Sequence, residues 1–380
     1  MEIFYDKARL VELRRLLHRH PELSGQEHQT AGRVKRLLMD DQPDQLIEQL
    51  GGAGLAAVYE GQEPGPALLF RCDLDALPIE EVNDLAYRSQ HQGRAHKCGH
   101  DGHMAIMNGL SMAISANRPR RGRAILLYQP SEENGQGARR VLEDERFPQI
   151  APDKVFALHN LPGYAAGSVV LKSGTFAAAS KGMVSQLYGK TAHAGEPENG
   201  RSPGIAMADI VRDLTWLPQN WSFEDFALIT VIHARLGEIA FGTTPGYAEV
   251  MATLRTYSNP DMDQLTSRAV DIVQQHARSH SLENEISWRE AFPATVNDNA
   301  ELEMLREVAR KERAPMVELD APLRWSEDFS NFTLKYPGVL FGLGSGEHTP
   351  QLHNPDYDFP EEIIEPGIRI FYGIYRHYLK

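Results

Sequence analysis

Residues 123–144 read "RAILLYQPSEENGQGARRVLED". The continuous apolar run Ala124–Tyr128 breaks on a Pro–Ser–Glu–Glu–Asn–Gly cluster and resumes as a short helix pattern, "GARRVLED". An apolar strand, a polar turn and a helix in that order are the repeating unit of an α/β sheet. The same order recurs on either side. "LAAVYEG" and "PALLFRCDLDALP" read as strands upstream, "MAIMNGLSMAIS" as a helix, and "KVFALHNLP" as a strand downstream. Two helices precede them, one carrying Leu10, Leu13, Leu16 and Leu17 on a face, the other Ala31, Val34, Leu37 and Leu38 over roughly 28–39. The expected fold is α/β, with a mixed, largely parallel sheet flanked by helices. The polar clusters "RCDLDALP", "QPSEENGQG" and "LHNLPG" fall just past strand ends, the edge where such sheets build their sites.

From about 182 the texture changes. "GMVSQLYGKTAHA", a helix near 203–217, "FALITVIHARLG", "PGYAEVMATLRTYS", a helix near 260–280 and "LENEISWREA" follow. Strand–helix–strand–strand–helix–strand predicts a small ferredoxin-like α+β domain inserted in the first. After about 290, "AELEMLREVARKE" and "GVLFGLGSG" return to helix–strand alternation.

Composition narrows the function. The chain has 380 residues, 42% hydrophobic and 24% charged, with net charge −13. That balance suits an ordinary globular protein of two domains. The strongest basic run is the short "RPRRGR" at 118–123, which argues against nucleic-acid and anionic-membrane partners. The two cysteines make no disulfide framework, and "MEIFYDKARLVELRRLL" has no leader pattern. A reduced, cytoplasmic location is the expectation.

The cysteines lead to chemistry. Cys98 lies in "AHKCGHDGH" (95–103), two residues before His100 and just ahead of a helix. In an extended loop the two would project from one side. Thiolate plus imidazole suits a borderline-soft metal such as zinc, although C-x-H alone is a weak signal. Glu132 and Glu133 could divide the work of ligand and general base. Adjacent residues in extended chain face opposite ways, so both can serve only if the loop curls. His159 in "KVFALHN" and His353 in "TPQLHNPD" also fall at strand ends. Cys98, His100, Glu133, His159 and His353 exceed what one tetrahedral ion needs and suit two. Asp73 and Asp75 are candidates to support those ligands from behind. His96 and His103 are not taken as ligands. His193 in "GKTAHAGEP" could donate a hydrogen bond to a carbonyl that becomes an oxyanion, or be a surface histidine.

These motifs, with "LHRHPELSGQE", "WSEDFS" and "PDYDFPEE", stand in an order that resembles the M20 metallopeptidases. The nearest likeness is to the amidohydrolase branch of hippurate hydrolases, indole-3-acetyl-amino-acid hydrolases and N-acetyl-diaminopimelate deacetylases. The resemblance runs from about residue 15 to about 370. It implies metal ligands Cys98, His100, Glu133, His159 and His353 for two divalent ions, zinc or manganese first, nickel or cobalt as alternatives. It implies Glu132 as general base and His193 at the transition-state carbonyl, reaching the partner's site in a lid-to-lid homodimer. The domains it implies are a catalytic one at 1–180 and 290–380 and a lid at 181–289. The reaction would be hydrolysis of the amide of a small N-acyl amino acid or a related amide. A dipeptidase or aminopeptidase on the same scaffold, and a non-catalytic binding relative, are the rivals.

One segment departs from the pattern. Where the family has "AFNVIP" followed by an arginine that grips a substrate carboxylate, this chain reads "IAFGTTPGYAEVMATLR". Arg255 stands at the expected distance, but Gly242 replaces the asparagine, and Glu198 in "EPENG" stands near where a histidine is usual. The expectation is a preference other than for standard N-acyl-α-amino acids. The role of Asp101 is open.

Overall fold

The computed structural model describes residues 3–380. In chain order its elements are α1 (Lys7–Arg19), α2 (His28–Asp40), β1 (Gln45–Leu50), β2 (Gly54–Glu60), β3 (Glu63–Asp73), α3 (His100–Ala116), β4 (Arg121–Gln129), α4 (Gly137–Glu143), β5 (Lys154–Leu161) and β6 (Val169–Leu171). Then come β7 (Gly174–Ala177), β8 (Ala179–Tyr188), β9 (Ala192–His193), α5 (Gly204–Asn220), β10 (Ala227–Leu236), β11 (Thr243–Thr244), β12 (Tyr247–Thr256), α6 (Asn259–Ser279) and β13 (Glu283–Phe292). The chain closes with β14 (Thr295–Asn297), α7 (Asn299–Lys311), β15 (Met316–Glu318), α8 (Ser330–Thr333), β16 (Gly338–Gly344) and α9 (Ile364–Leu379). Two compact units result: 1–176 with 295–321 and 328–380, and 177–294 with 322–327.

The first unit holds an eight-stranded sheet in the order β1-β2-β4-β3-β5-β16-β6-β15. Its centre, β4-β3-β5-β16, is parallel throughout. The antiparallel pairs lie outside it, at β1–β2, β2–β4 and β6–β16. In β3, Leu68, Phe70 and Cys72 join the core cluster that also holds side chains of α1, α3, α7 and α9. Leu69 and Arg71 point to the opposite face and are buried as well, as a parallel sheet covered on both sides requires. Helix α3 is buried from His100 to Ile114, which explains its apolar circumference. The hairpin strand β1, "QLIEQL", has no counterpart among the strands expected from sequence.

The second unit is a four-stranded antiparallel sheet in the order β10-β12-β8-β13, with α5 and α6 against one face. Strand β12 alternates strictly, burying Ala248, Val250, Ala252, Leu254 and Thr256. Strand β10 lies at the sheet edge with most of its second half exposed. No helix among the described residues is long and apolar enough to cross a membrane.

Candidate metal centre

The four parallel central strands end on one edge of the sheet, and the candidate ligands follow from those ends. β3 runs into Asp73 and Asp75, β4 into Glu132 and Glu133, β5 carries His159, and the chain after β16 leads to His353. Cys98 and His100 enter on the loop before α3. That loop is not extended. Gly99, at φ 94°, is the N-cap and His100 is the first helical residue. A Cβ at position 99 would stand 2.6 Å from the Asn160 side chain, so glycine is needed for backbone and space alike.

Ligand-type atoms of Cys98, His100 and His159 lie within 4.8 Å of one another, as do those of Cys98, Glu133 and His353, and those of His100, Glu132 and Glu133. The first two groups share only Cys98. Its sulfur is 3.4 Å from Nε2 of His159. Glu133 reaches toward His100 at 3.8 Å and toward His353 at 3.7 Å.

The histidine tautomers follow from their partners. His100 Nδ1 is 2.8 Å from the Asp75 carbonyl oxygen and His159 Nδ1 is 2.9 Å from that of Asn160. A carbonyl only accepts, so each Nδ1 carries the proton and each Nε2 offers a lone pair in the neutral ring. Burial holds His100 well below the ordinary histidine value, which keeps that ring neutral. Its Nε2 is buried and has no hydrogen-bond partner among the described residues. A fixed lone pair aimed at a thiol, a second imidazole and a carboxylate fits a borderline-soft divalent metal.

Both glutamates face the cluster because the loop does curl. Ser131 adopts φ 56°, and the Asp75 carboxylate accepts the backbone N–H groups of Glu132 (3.2 Å) and Glu133 (3.0 Å) together with the Ser24 hydroxyl (2.7 Å). Burial pushes Asp75 up to about 7. Yet all three of these neighbours donate, so the arrangement serves the ionised, acceptor-only form. Asp73 is held differently. Arg71 grips it through both guanidinium ends, at 2.6 and 3.0 Å, and also reaches Asp328 at 2.6 Å. Asp328 in turn accepts from Gln129 and from the Ala138 N–H. Asp73 also belongs to a group with His100 and His103, but its arginine partner already supplies a cation there.

Asp101 points away from the cluster. Its carboxylate meets Arg14 Nε at 2.9 Å and His18 Nδ1 at 2.8 Å, all fully buried. Burial works against its ionisation, but Arg14 and His18 hold it well below the usual carboxylate range. His18 Nε2 lies 3.0 Å from Glu81, which also pairs with Lys97 at 2.8 Å. Despite burial, those two partners pull Glu81 down to about 2. His353, at φ 66°, is a non-glycine residue in the left-handed region, a conformation that costs on the order of 1–3 kcal/mol and must be imposed by its surroundings.

His193 and Arg255 belong to the second unit. His193 is exposed on β9, paired with Thr243, and its Nδ1 accepts the Gly195 N–H at 3.1 Å. In the neutral ring its proton therefore sits on Nε2. Arg255 is half-buried on β12. It donates to the Arg324 carbonyl (2.8 Å) and the Ser326 hydroxyl (3.1 Å), and no carboxylate among the described residues pairs with it.

Residues 69–377 match the model of peptidase family M20/M25/M40. The chain is 33% identical to an N-acetyl-L-cysteine deacetylase of Bacillus subtilis over 97% of this chain and 87% of that one. It is 30% identical to an N-acetyldiaminopimelate deacetylase of Bacillus velezensis, covering 98% and 99%. A dinuclear metal binding M20 peptidase of known structure, also from Bacillus subtilis, superposes with a TM-score of 0.83 at 27% identity, covering 97% of both chains. The chain belongs to the peptidase family M20/M25/M40.

Proposed function

We propose that this protein is a metal-dependent amidohydrolase that cleaves the amide bond of small N-acyl amino acids or related N-acyl amides. The observation that carries the reading is the pair of donor groups sharing Cys98 at the parallel strand ends. The deacetylase relatives supply the substrate class. Cys98, His100, Glu133, His159 and His353 would hold two divalent ions, with zinc or manganese the first candidates for this donor set. Such ions, when bound, supply Lewis acidity that makes a water nucleophilic near neutral pH.

The chain's own groups do the rest. Glu133 reaches both His100 and His353 and is committed to holding. Glu132, one residue away on the same curl, takes the proton of the attacking water and returns it to the leaving amine. His193, with its proton on Nε2, donates to the oxygen of the tetrahedral transition state. Arg255 donates to a substrate carboxylate. The second unit serves as a lid within the limits 181–289, set in a catalytic domain at 1–180 and 290–380. It joins two chains into a homodimer: β10 has a free edge, and Ile239 and Phe241 just beyond it are fully exposed.

Metal content by plasma mass spectrometry, with initial rates on N-acetyl amino acids, tests the proposal. Two ions per chain and a Glu132→Gln variant that keeps them while losing about 10²–10⁴-fold in kcat are expected. Unchanged turnover in that variant rules out the assigned base, and a protein with two ions and no hydrolysis of any N-acyl amide rules out the function.

A further inference from the structure

The segment bearing His353 is gripped by one residue that does not itself face the cluster. Lys97, fully buried, immediately precedes Cys98. Its backbone carbonyl accepts the His353 N–H at 2.8 Å. Its ammonium donates to the Tyr357 carbonyl, four residues further along, also at 2.8 Å. Lys97 therefore holds both ends of a stretch whose first residue is in the left-handed region. Other contacts reach the middle of the stretch: the Val82 N–H donates to the Pro355 carbonyl and the Asn83 amide to that of Asp356. Neither bears on His353.

A buried ammonium is an expensive way to make two hydrogen bonds unless its charge is balanced and its place fixed. Both conditions hold. Glu81 pairs with Lys97 at 2.8 Å and is itself anchored by His18 and by the Ser89 N–H. His18 continues to Asp101, the residue after His100. The ionic chain thus braces the 98–100 segment from both flanks, while Lys97 ties it to the His353 turn.

Resting on the binuclear reading of the site, we infer that Lys97 is a positioning residue that sets His353 against Cys98 and Glu133, and thereby fixes the affinity for one of the two ions. The group of Cys98, Glu133 and His353 draws its ligands from three separate loops. Cys98 and His353 are joined to each other through Lys97. The group of Cys98, His100 and His159 contains no residue of the 353–357 turn, and Asp101 and His18 brace its 98–100 segment independently of the Lys97 contacts to that turn.

The test is a titration of metal-stripped protein with zinc in competition with a chelating indicator, on wild type, Lys97→Met, His353→Ala and the double variant. Wild type should bind two equivalents. Lys97→Met should keep one tight equivalent and bind the other about ten- to hundredfold more weakly, the range typical of residues that orient a ligand. In the His353→Ala background the same substitution should change zinc affinity by less than about twofold, because its route of action is already gone. Two equivalents bound by Lys97→Met as tightly as by wild type overturn the inference. So does an equal weakening of both ions, or an undiminished effect in the His353→Ala background, since either marks general loosening. Fewer than two equivalents in wild type overturns the binuclear reading itself. If Lys97→Met does not fold, Glu81→Gln replaces it; this keeps the shape and neutralises the partner of the ammonium. Selective weakening of one ion by about threefold or more is then expected, and unchanged binding of both overturns the inference.

Discussion

Asp75 organises three elements at once, so its removal has a calculable effect. Its carboxylate accepts the Glu132 and Glu133 N–H groups and the Ser24 hydroxyl, while its carbonyl fixes the His100 tautomer. In Asp75→Asn the backbone contact to His100 survives. The amide oxygen can serve Ser24 and Glu133, which share one oxygen in the native arrangement, but the NH2 group then faces the Glu132 N–H. A buried donor left without an acceptor costs about 1–3 kcal/mol. Replacing charge-assisted bonds by neutral ones weakens the other two by roughly half. Together these predict a loss of about 2–4 kcal/mol in folding stability. The curl at Ser131 is then free to relax, and a displacement of Glu132 on the order of 1 Å costs about 10²-fold in turnover. Initial rates on an N-acetyl amino acid, urea unfolding and metal content separate the effects. The expected result is kcat lowered about 10- to 100-fold, KM within about threefold, and bound metal retained. A variant destabilised as predicted but with unchanged kcat would show that the carboxylate supports the fold and not the placement of Glu132.

Further outcomes follow from other parts of the molecule. Burial pushes Asp41, which accepts the Ser111 hydroxyl, up to about 6 from the ordinary 3.8. The folded chain thus holds a proton that the unfolded chain gives up near pH 4. The resulting penalty is absent below that pH, grows between pH 4 and 6, and reaches up to about 3 kcal/mol above. Asp41→Asn should therefore stabilise the protein in urea at pH 8 and leave it unchanged at pH 3.5. Gly242 has open space around it, with nothing within 4 Å of an added Cβ, so Gly242→Asn should fold normally. It should lower KM for N-acetyl-α-amino acids several-fold, with kcat/KM profiling as the check. His193→Ala should lower kcat about 10²-fold or more and leave metal content intact. Phe241→Glu with Ile239→Glu should shift the proposed dimer to monomer in sedimentation, because like charges on the shared apolar edge repel across it.

How much of this was legible in the residues depended on the length scale of each feature. The polar clusters after apolar strands stand out because burial on both faces forces continuous apolar runs, whose interruptions are conspicuous. The strand β1 leaves no clear period in the sequence because it lies at the sheet edge, with two of its six residues buried. The three-residue strands β6 and β15 are too short to carry any period. Whether Glu132 and Glu133 could face one way was undecidable from spacing. It turns on Ser131 at φ 56° and on Asp75, which lies 57 positions before Glu132. Asp101 was equally opaque, since its partners Arg14 and His18 come from the first helix and nothing local announces them. Arg71 and Asp328 lie in the polar stretches "RCDLDALP" and "WSEDFS", but nothing local announces their pairing across the fold.

The charge arrangement explains why so many ionised groups can crowd one sheet edge. Arg71 with Asp73 and Asp328, and Arg14 and His18 with Asp101 and Glu81, are cations and anions that satisfy one another. In the second set two cations meet two anions; in the first, Arg71 meets two carboxylates, and Asp328 also accepts from Gln129 and the Ala138 N–H, so each buried ion has a partner. The side chains facing the strand ends differ in kind. His100 and His159 present Nε2 toward the cluster, and Cys98, Glu132 and Glu133 add a thiol and two carboxyl groups. Arg14, His18 and Arg71 are engaged by the carboxylates of the frame. On the proposed reading of the site, divalent ions would be held by these donors, and their uptake would be tied to proton release from Cys98 and to the stability of this edge.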